Sequence, residues 1–437
     1  METIGFEWLN GYGVREFFAM KVIVVGAGLI GITTAYYLLQ NGCDVTVVER
    51  NDGVALETSY ANGGLLTPSM PDPWNAPGCW RTLLSSIGRG DAALQLHLRA
   101  LPSLLGWGVR FLRNSRRARF AANVRHNLRL AQYSLNAMRH LREKTGVEYG
   151  RSARGTLRVF RDDATLREAA SVASRLSVEG LRSRTLSSRE AVDLEPVLSP
   201  LAAELSGAIH YEADEVGDAR KFCVALAKHV ADQGVQFKFG CSIVGLETSA
   251  GRISALASDK GRLIADAYVV AAGPCTTKLL RRVGIGVPVR PAKGYSITFT
   301  EVGPEHALRI PIIDDTWHAA VVPIEGAIRV AGTAEFAGFD HSLPQARIDN
   351  LLALLRRLMP KVAFDISKAK PWCGLRPMCA DGVPIIGPTP IANLLVNTGH
   401  GHLGWTMAAG SASLLSEFMR SGSTDLDIAP YSLSRFS

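Results

Sequence analysis

Apolar residues near the N-terminus group into a strand, a helix and a second strand in close succession. The first strand is expected over residues 21–25, the helix over 30–40 and the second strand over 43–48, because each segment carries the apolar period of its element. The apolar spacings typical of strands and of helices recur along the rest of the chain. Further strands are predicted at 155–160, 207–211, 235–239, 243–247, 252–257, 267–272 and 394–397, with a β-rich region over 287–330, and further helices mainly within 83–142 and at 163–179, 219–233, 343–359 and 405–419.

A glycine motif lies between the first strand and the first helix. Gly26, Gly28 and Gly31 have the spacing G-x-G-x-x-G, and Glu49 follows the second strand. In such a unit the first glycine permits a tight turn, the second lets a pyrophosphate approach the backbone, and the third lets helix and strand pack closely. The helix N-terminus offers amide donors to the phosphates, and the acid can bind a ribose. This order of elements predicts a site for an adenine dinucleotide.

The elements predict an α/β fold (α+β overall), with a Rossmann-like nucleotide-binding domain and an inserted substrate domain made of a β-sheet and helices. Residues 1–19 are expected to be an N-terminal extension, because they carry three glutamates and lack the apolar stretch of a signal peptide. Both domains are predicted to be discontinuous. The nucleotide-binding domain is placed at 20–82, 207–286 and 374–437, and the substrate domain at 83–206 and 287–373.

Composition narrows the class of protein. The 437 residues are 47% hydrophobic and contain no run of eighteen apolar residues, which predicts a globular chain without a membrane span. The seven cysteines are odd in number and include no C-x-x-C pair, so neither a disulfide framework nor a zinc site is expected. A reducing compartment, the cytoplasm, fits this cysteine usage.

The net charge of +8 is concentrated in one region. Residues 92–142 contain ten arginines and no acidic residue, and within them 101–120 combines Trp107, Phe111 and several leucines with five arginines. Two interpretations stay open: an amphipathic helix resting on anionic lipid at the inner face of the cell membrane, or a solvated basic helix whose apolar face is ordinary core. Nucleic acid is not expected as a partner, because no aromatic platform accompanies the arginines.

A second glycine cluster, over 399–404, lies between a predicted strand and a predicted helix. It also has the G-x-G-x-x-G spacing, but no acidic residue ends a following strand, so a second dinucleotide is not favoured. We interpret the cluster as a helix N-terminus that stabilises negative charge on a reduced flavin ring. His400 and His402 lack a nearby cysteine or acidic partner, so no metal site is predicted.

Arg376 lies just upstream, between Leu375 and Pro377. An arginine can hold a carboxylate through two parallel hydrogen bonds, which makes Arg376 a candidate for substrate binding. A structural salt bridge is the alternative.

At this point the chain resembles the FAD-dependent amine and amino acid oxidoreductases of the D-amino acid oxidase superfamily, and within it the bacterial D-amino acid dehydrogenases. The resemblance covers nearly the whole chain, from residue 20 to about residue 418. The blocks that carry it are VIVVGAGLIGITTAYYL, VTVVER, ETSYANGGLLTPS, PWNAPG, AKGYSITF, WCGLRPMCADGVPIIGPT and NTGHGHLGWTMAAGSASLL.

The resemblance implies FAD as the cofactor, with Arg376 holding the substrate carboxylate and Tyr295, in the AKGYSITF block, close to the active cleft. Some relatives tether the flavin through a cysteine, but no block here matches that motif, so dissociable FAD is expected. The implied FAD contacts are Gly26, Gly28, Gly31, Glu49 and Arg50, then Ser59, Asn62 and Gly63 near the pyrophosphate, Val244 near the adenine, Gly273, and Gly399, His400, Gly401, Gly404, Trp405 and Thr406 at the flavin ring.

The implied activity is oxidative deamination of D-amino acids to 2-oxo acids and ammonia, by hydride transfer to the flavin. Electrons would then pass to a quinone or another respiratory acceptor rather than to oxygen. The alternative within the family is oxidation of glycine, sarcosine or a cyclic imino acid such as D-hydroxyproline. Two other classes share the N-terminal motif: a nicotinamide-dependent dehydrogenase, and a flavin-binding protein without catalysis.

Overall fold

The structure is a computed structural model that describes residues 20–85, 94–300, 308–314, 316–317 and 319–437. The predicted extension 1–19 lies outside these residues. The strands are β1 (Lys21–Val25), β2 (Asp44–Val48), β3 (Leu65–Leu66), β4 (Leu94–Leu96), β5 (Thr156–Phe160), β6 (Ser183–Leu186), β7 (Gly207–Tyr211), β8 (Glu215–Val216), β9 (Gln236–Lys238), β10 (Ile243–Ser249), β11 (Arg252–Ser258), β12 (Gly261–Leu263), β13 (Ala267–Val270), β14 (Val289–Phe299), β15 (Ile312–Asp314), β16 (Ala319–Ile324), β17 (Ala327–Phe336), β18 (Lys370–Cys379), β19 (Ile385–Pro388) and β20 (Leu394–Thr398). The helices are α1 (Leu29–Gln40), α2 (Cys79–Ser85), α3 (Leu101–Asn114), α4 (Arg117–Thr145), α5 (Asp163–Val178), α6 (Ser188–Leu194), α7 (Ala219–Asp232), α8 (Thr276–Arg281), α9 (Gln345–Leu358) and α10 (Ala408–Ser421).

The first sheet is mainly parallel. Within the described residues it has six strands in the order β19-β20-β13-β1-β2-β9, and only β19 runs antiparallel to its neighbour. Its inner strands β1, β13 and β20 are almost wholly buried, because α1, α7 and α10 cover one face of the sheet and β11 and α8 cover the other. Val24, Ile32 of α1, Phe222 of α7 and Leu414 of α10 belong to one buried cluster. The predicted Rossmann-like unit is therefore present.

The second sheet is larger and mainly antiparallel. Its main path among the described residues is β18-β14-β17-β16-β15-β5-β7-β6, and β4 adds to it beside β17. Helix α9 covers one face, where Leu351 and Leu355 are buried with Ile297 of β14 and Val330 of β17. The other face of β14 and β18 carries Gly294 and Arg376 of the site, and its Ala292 and Met378 pack on α3. The α/β fold predicted from the sequence is confirmed.

Some predicted elements differ from the observed ones. The region 83–142 was expected to be helical, but it contains β4, and its helical part breaks at Ser115 between α3 and α4. The helix expected from residue 405 begins only at Ala408. Strand β7 was assigned to the nucleotide-binding domain, yet it pairs with β5 and β6 of the second sheet. Strand β18 of that sheet runs across the predicted boundary at 373/374. The domain boundaries themselves stay a prediction.

None of the helices in the described part of the chain combines the length and the apolar character needed to cross a bilayer.

Candidate active site

A large cavity of about 1290 Å³ is lined by residues of both sheets. Its wall has two ends. The nucleotide end consists of Gly26, Gly28, Glu49, Ser59 and Gly273, which lie at the carboxyl ends of the parallel strands. The substrate end consists of Trp74, Gly294, Thr333, Arg376 and His402, which the second sheet and two loops supply. The volume exceeds the roughly 300–1,000 Å³ of a drug-sized pocket, so it suits a dinucleotide together with a small substrate.

Two of the three glycines of the first turn, Gly26 and Gly31, have no room for a side chain. Gly26 has a φ of 109°, and a Cβ there would lie 2.6 Å from the carbonyl oxygen of Ala271. A Cβ on Gly31 would lie 1.8 Å from the carbonyl oxygen of Gly26. Gly31 therefore allows the close packing of α1 on β1 that the motif predicts.

Two polar side chains hold the amides of this turn. Glu49 accepts hydrogen bonds from the Ala27 amide at 2.8 Å and from the Asn51 amide at 2.9 Å. Ser59 accepts from the Leu29 amide at 3.1 Å, at the first turn of α1. The predicted acid and serine thus lie beside the glycine turn, with their oxygens within reach of main-chain donors.

Other predicted cofactor contacts also line the cavity. Arg50 pairs with Glu57 at 2.5 Å, and the Asn62 side chain accepts from the Gly64 amide at 3.0 Å. Val244 is 45% exposed on β10. Three predicted contacts do not line the cavity. Gly31 packs against Gly26, Gly399 lies against Cys379, and the Thr406 hydroxyl accepts from the Thr67 amide at 2.9 Å.

The late glycine cluster forms a tight turn rather than the start of an α-helix. A short 3₁₀ helix covers Gly401–Leu403 and α10 begins at Ala408, so the predicted α-helix N-terminus at residues 401–404 is wrong. Gly399 and Gly401 have φ values of 82° and 58°, which exclude an α-helix through these two residues.

Several buried polar atoms around this turn have no partner within the described residues. They are both ring nitrogens of His400, Nε1 of Trp405 and Oδ1 of Asn397, and all three residues line the cavity. Burial lowers the pKa of His400 to about 3, so its ring is uncharged at neutral pH. Because a buried polar atom without a hydrogen bond is costly, these atoms fit the polar edge of a bound ring system.

Arg376 projects into the cavity from β18. It pairs across the sheet with Ala292 of β14, and its Nη1 donates a long hydrogen bond of 3.5 Å to the carbonyl oxygen of Thr333. In the described part of the chain no carboxylate pairs with it, so the alternative of a structural salt bridge is not observed. Burial lowers its pKa to about 10, which leaves the guanidinium protonated at neutral pH.

Four residues of the substrate end, Trp74, Gly294, Thr333 and His402, did not emerge as substrate residues from the sequence. Gly294 makes room for the guanidinium, because a Cβ there would lie 1.8 Å from Nη1 of Arg376. The ring centroid of Trp74 lies 5.6 Å from Cζ of Arg376. The same ring stacks on His402 with 5.7 Å between the two ring centroids. The proline-rich stretch 68–78 marked a loop, but only the tertiary structure brings Trp74 to Arg376.

Tyr295 and Arg376 lie on opposite faces of the second sheet. Tyr295 is 1% exposed in the cluster under α9, and its hydroxyl donates to Glu335. Burial and the Glu335 carboxylate raise the pKa of Tyr295. Tyr295 is among the residues that line the cavity, but its hydroxyl bonds Glu335 and does not approach the guanidinium.

No group of three or more potential metal-ligating side chains occurs within the ranges that the structure describes.

Helix α3 has an apolar row that faces solvent. Leu105, Val109 and Leu112 are 68%, 59% and 43% exposed and have the spacing of one helix face. Neither Arg110 nor Arg113, both exposed on the same helix, pairs with a carboxylate among the described residues. The opposite face is ordinary core and buries Leu104, Trp107 and Phe111.

Comparison with known proteins places these features in context. The family model described as FAD dependent oxidoreductase (DAO) matches residues 21–418. The D-amino acid dehydrogenase of Allorhizobium ampelinum is 40% identical over 417 residues, which cover 95% of this chain and 99% of the relative. Glycine oxidase from Geobacillus kaustophilus superposes with a TM-score of 0.75 at 22% identity, covering 95% of this chain and 99% of that chain. L-proline dehydrogenase from P. horikoshii gives a TM-score of 0.76 at 16% identity, covering 96% and 98%. At these identities the two solved structures are similar in fold alone.

Proposed function

We propose that this chain, which belongs to the DAO family of FAD-dependent oxidoreductases, oxidises D-amino acids to 2-oxo acids and ammonia. The observation that carries the proposal is the unpaired Arg376 guanidinium in the wall of a cavity large enough for a dinucleotide and a substrate. The name of the relative from Allorhizobium ampelinum supports the substrate class.

The nucleotide end fits FAD. In this proposal Gly26 and Gly28 let a pyrophosphate approach the backbone at the N-terminus of α1, and Glu49 binds a ribose. The unpartnered atoms of His400, Trp405 and Asn397 suit the polar edge of the ring. We assign the predicted cofactor contacts that line the cavity to direct binding of FAD, and Gly31, Gly399 and Thr406 to the shape of its walls.

The substrate end orients the amino acid. Arg376 holds the carboxylate through paired hydrogen bonds, which fixes the α-carbon and its C–H relative to the ring site. Bound FAD supplies the acceptor for the hydride. Positioning of this kind lowers the barrier without a dedicated acid–base pair, and the released imino acid hydrolyses in water.

Reduction of the bound flavin tests the proposal. Under anaerobic conditions D-amino acids should bleach the visible flavin absorbance of the purified protein, whereas L-amino acids should not. Bleaching by glycine, sarcosine or a cyclic imino acid alone would instead assign the alternative substrates. A colourless protein that is reduced only with added nicotinamide nucleotide would contradict the proposal.

We further propose a quinone or another respiratory compound, rather than oxygen, as the electron acceptor. A repeat of the assay in air should then yield little hydrogen peroxide, while a soluble quinone analogue should restore turnover.

FAD is proposed to be dissociable, so denatured protein should have the mass of the unmodified chain.

The exposed row of α3 supports peripheral contact with an anionic membrane at the cytoplasmic face. Apolar side chains flanked by unpaired arginines suit a lipid surface. Leu105→Glu with Val109→Glu should abolish co-sedimentation with anionic vesicles and leave flavin reduction unchanged. Val178→Glu is a matched control, because Val178 is 88% exposed on α5, away from this row. Equal binding of all variants would contradict the contact.

A further inference from the structure

We propose that Nδ1 of His402 is the hydrogen-bond acceptor for the amino group of the substrate. The inference rests on the proposed function, because it presupposes a substrate that carries both a carboxylate and an amine. It assigns to this residue the second of two anchoring points, beside Arg376.

The backbone places His402 next to the strand that carries Arg376. His402 lies in the 3₁₀ turn Gly401–Leu403. His400, two residues before His402, forms an isolated β-bridge with Met378 of β18, which lies two residues beyond Arg376. Both His402 and Arg376 line the cavity, so both can contact the same small molecule.

Trp74 orients the imidazole. The rings of Trp74 and His402 are stacked with an interplanar angle of 21° and 5.7 Å between their centroids. The same indole lies 5.6 Å from Cζ of Arg376. Because one rigid indole contacts both groups, the imidazole has a defined plane relative to the guanidinium.

The hydrogen bonding of the ring defines which nitrogen accepts. Nε2 of His402 lies 3.4 Å from the carbonyl oxygen of Met70, and since a carbonyl can only accept, Nε2 carries the hydrogen. Nδ1 is then left with a lone pair directed away from Met70. Among the residues that the structure describes, no donor pairs with Nδ1.

The charge state agrees with an acceptor role. Burial lowers the pKa of His402 to about 4, against the opposing effect of the Met70 hydrogen bond, and Arg376 lowers it further. The ring is therefore neutral at neutral pH and does not compete with Arg376 for the carboxylate. An α-amino acid carries its amine on the carbon next to its carboxylate, so an acceptor beside the guanidinium matches this substrate.

Two fixed points determine which face of the α-carbon is presented to the ring site. With the carboxylate at Arg376 and the amine at His402, only the α-hydrogen and the side chain can exchange places between enantiomers. His402 would therefore contribute to the preference for one enantiomer as well as to affinity.

The test separates amine binding from carboxylate binding. His402→Phe keeps a ring to stack on Trp74 but removes the acceptor, and His402→Asn restores an acceptor near the Nδ1 position. The limiting rate of anaerobic flavin reduction divided by the apparent Kd is measured with D-alanine. In parallel, the Kd of propionate, which has a carboxylate but no amine, is measured from the shift in flavin absorbance.

For D-alanine, His402→Phe should lower the limiting rate of flavin reduction divided by the apparent Kd by about tenfold, which corresponds to the loss of one hydrogen bond. The Kd of propionate should stay within about twofold of the wild-type value. His402→Asn should recover part of the loss. His229→Phe on α7 is the matched control, since His229 bonds Gln233 on the same helix and does not line the cavity.

Equal losses for D-alanine and propionate, or no loss for D-alanine, would overturn the inference. If His402→Phe does not bind FAD, the same two measurements are made on His402→Asn. Loss of D-alanine reduction in His402→Asn as large as that expected for His402→Phe would also count against an acceptor at Nδ1. A wild-type protein that no amino acid reduces, yet that still binds propionate, would overturn the proposed function instead.

Discussion

The two ends of the cavity are built in different ways. Apart from Gly273, the nucleotide end comes from residues 26–59, in which Gly26 and Gly28 lie in one turn, Gly31 packs behind it, and Glu49 and Ser59 bond its amides. The substrate end joins residues far apart in the chain through strand pairing between β14 and β18 and through two loops. One end is shaped mainly by the backbone, and the other by side chains.

This difference predicts different responses to substitution. An added methyl group at the nucleotide end meets backbone atoms, which cannot move without disturbing a packed sheet. An added group at the substrate end meets the far end of a flexible arginine. Substitutions at the nucleotide end should therefore remove the cofactor, whereas those at the substrate end should leave it bound and impair only the reaction.

The largest effect is expected for Gly31→Ala. The new Cβ would lie 1.8 Å from the Gly26 carbonyl oxygen, so α1 must separate from β1 and the turn must open. We expect purified protein without bound flavin and with a clearly lower Tm, measured by absorbance and thermal unfolding. Gly286→Ala is the control, since a Cβ there meets nothing within 4 Å. Normal flavin content in Gly31→Ala would show that close packing of α1 on β1 at Gly31 is not needed for cofactor binding.

Arg376→Ala should have the next largest effect. Loss of the guanidinium removes a charged, hydrogen-bonded partner of the carboxylate, worth about 3–4 kcal/mol, or roughly 10²- to 10³-fold in kcat/KM. Flavin content should stay at the wild-type level, because Arg376 lies at the substrate end. Arg376→Lys keeps the charge but not the paired geometry and should recover part of the activity. Unchanged kinetics in Arg376→Ala would remove this residue from the reaction.

The same difference explains what the sequence could predict. The strand, turn and helix at the N-terminus follow from local periodicity and glycine spacing, and the family resemblance is confirmed by the match over 21–418. Arg376 could be predicted as a substrate residue because it lies within one contiguous sequence block, WCGLRPMCADGVPIIGPT. Trp74 and Gly294 were not, because their role depends on a loop path and on the pairing of β14 with β18, neither of which leaves a local signal.

Two errors have a related cause. The cluster at 399–404 precedes a predicted helix, but Gly399 and Gly401 are left-handed and a 3₁₀ turn follows at Gly401–Leu403, so α10 begins only at Ala408. The region 83–142 has a helical composition, yet β4 within it pairs with β17, because a tertiary contact overrides a weak local preference.

Gly294→Ala should give a smaller loss that is coupled to Arg376. Its Cβ would overlap Nη1 of Arg376, and displacement of the guanidinium should lower kcat/KM by about tenfold while FAD stays bound. In the double variant with Arg376→Ala the second substitution should cost little more, since the group it displaces is absent. Additive losses in this double-mutant cycle would show that Gly294 acts independently of Arg376.

The smallest effect on activity is expected for Tyr295→Phe. The hydroxyl lies on the helix-covered face and donates to Glu335, which keeps bonds from Lys293 at 2.7 Å and His97 at 3.0 Å. Burial raises the pKa of Glu335, but the hydrogen bonds from Lys293, Tyr295 and His97 outweigh this and hold it below its usual range.

Tyr295→Phe removes the hydrogen bond from the tyrosine hydroxyl to Glu335. It should lower the free energy of unfolding by about 1–2 kcal/mol and leave kcat/KM within about twofold of the wild-type value. Denaturant unfolding and steady-state kinetics on the same preparation test both expectations. A tenfold loss of kcat/KM at unchanged stability would instead place the Tyr295 hydroxyl in the reaction and show that the substrate end reaches through the sheet.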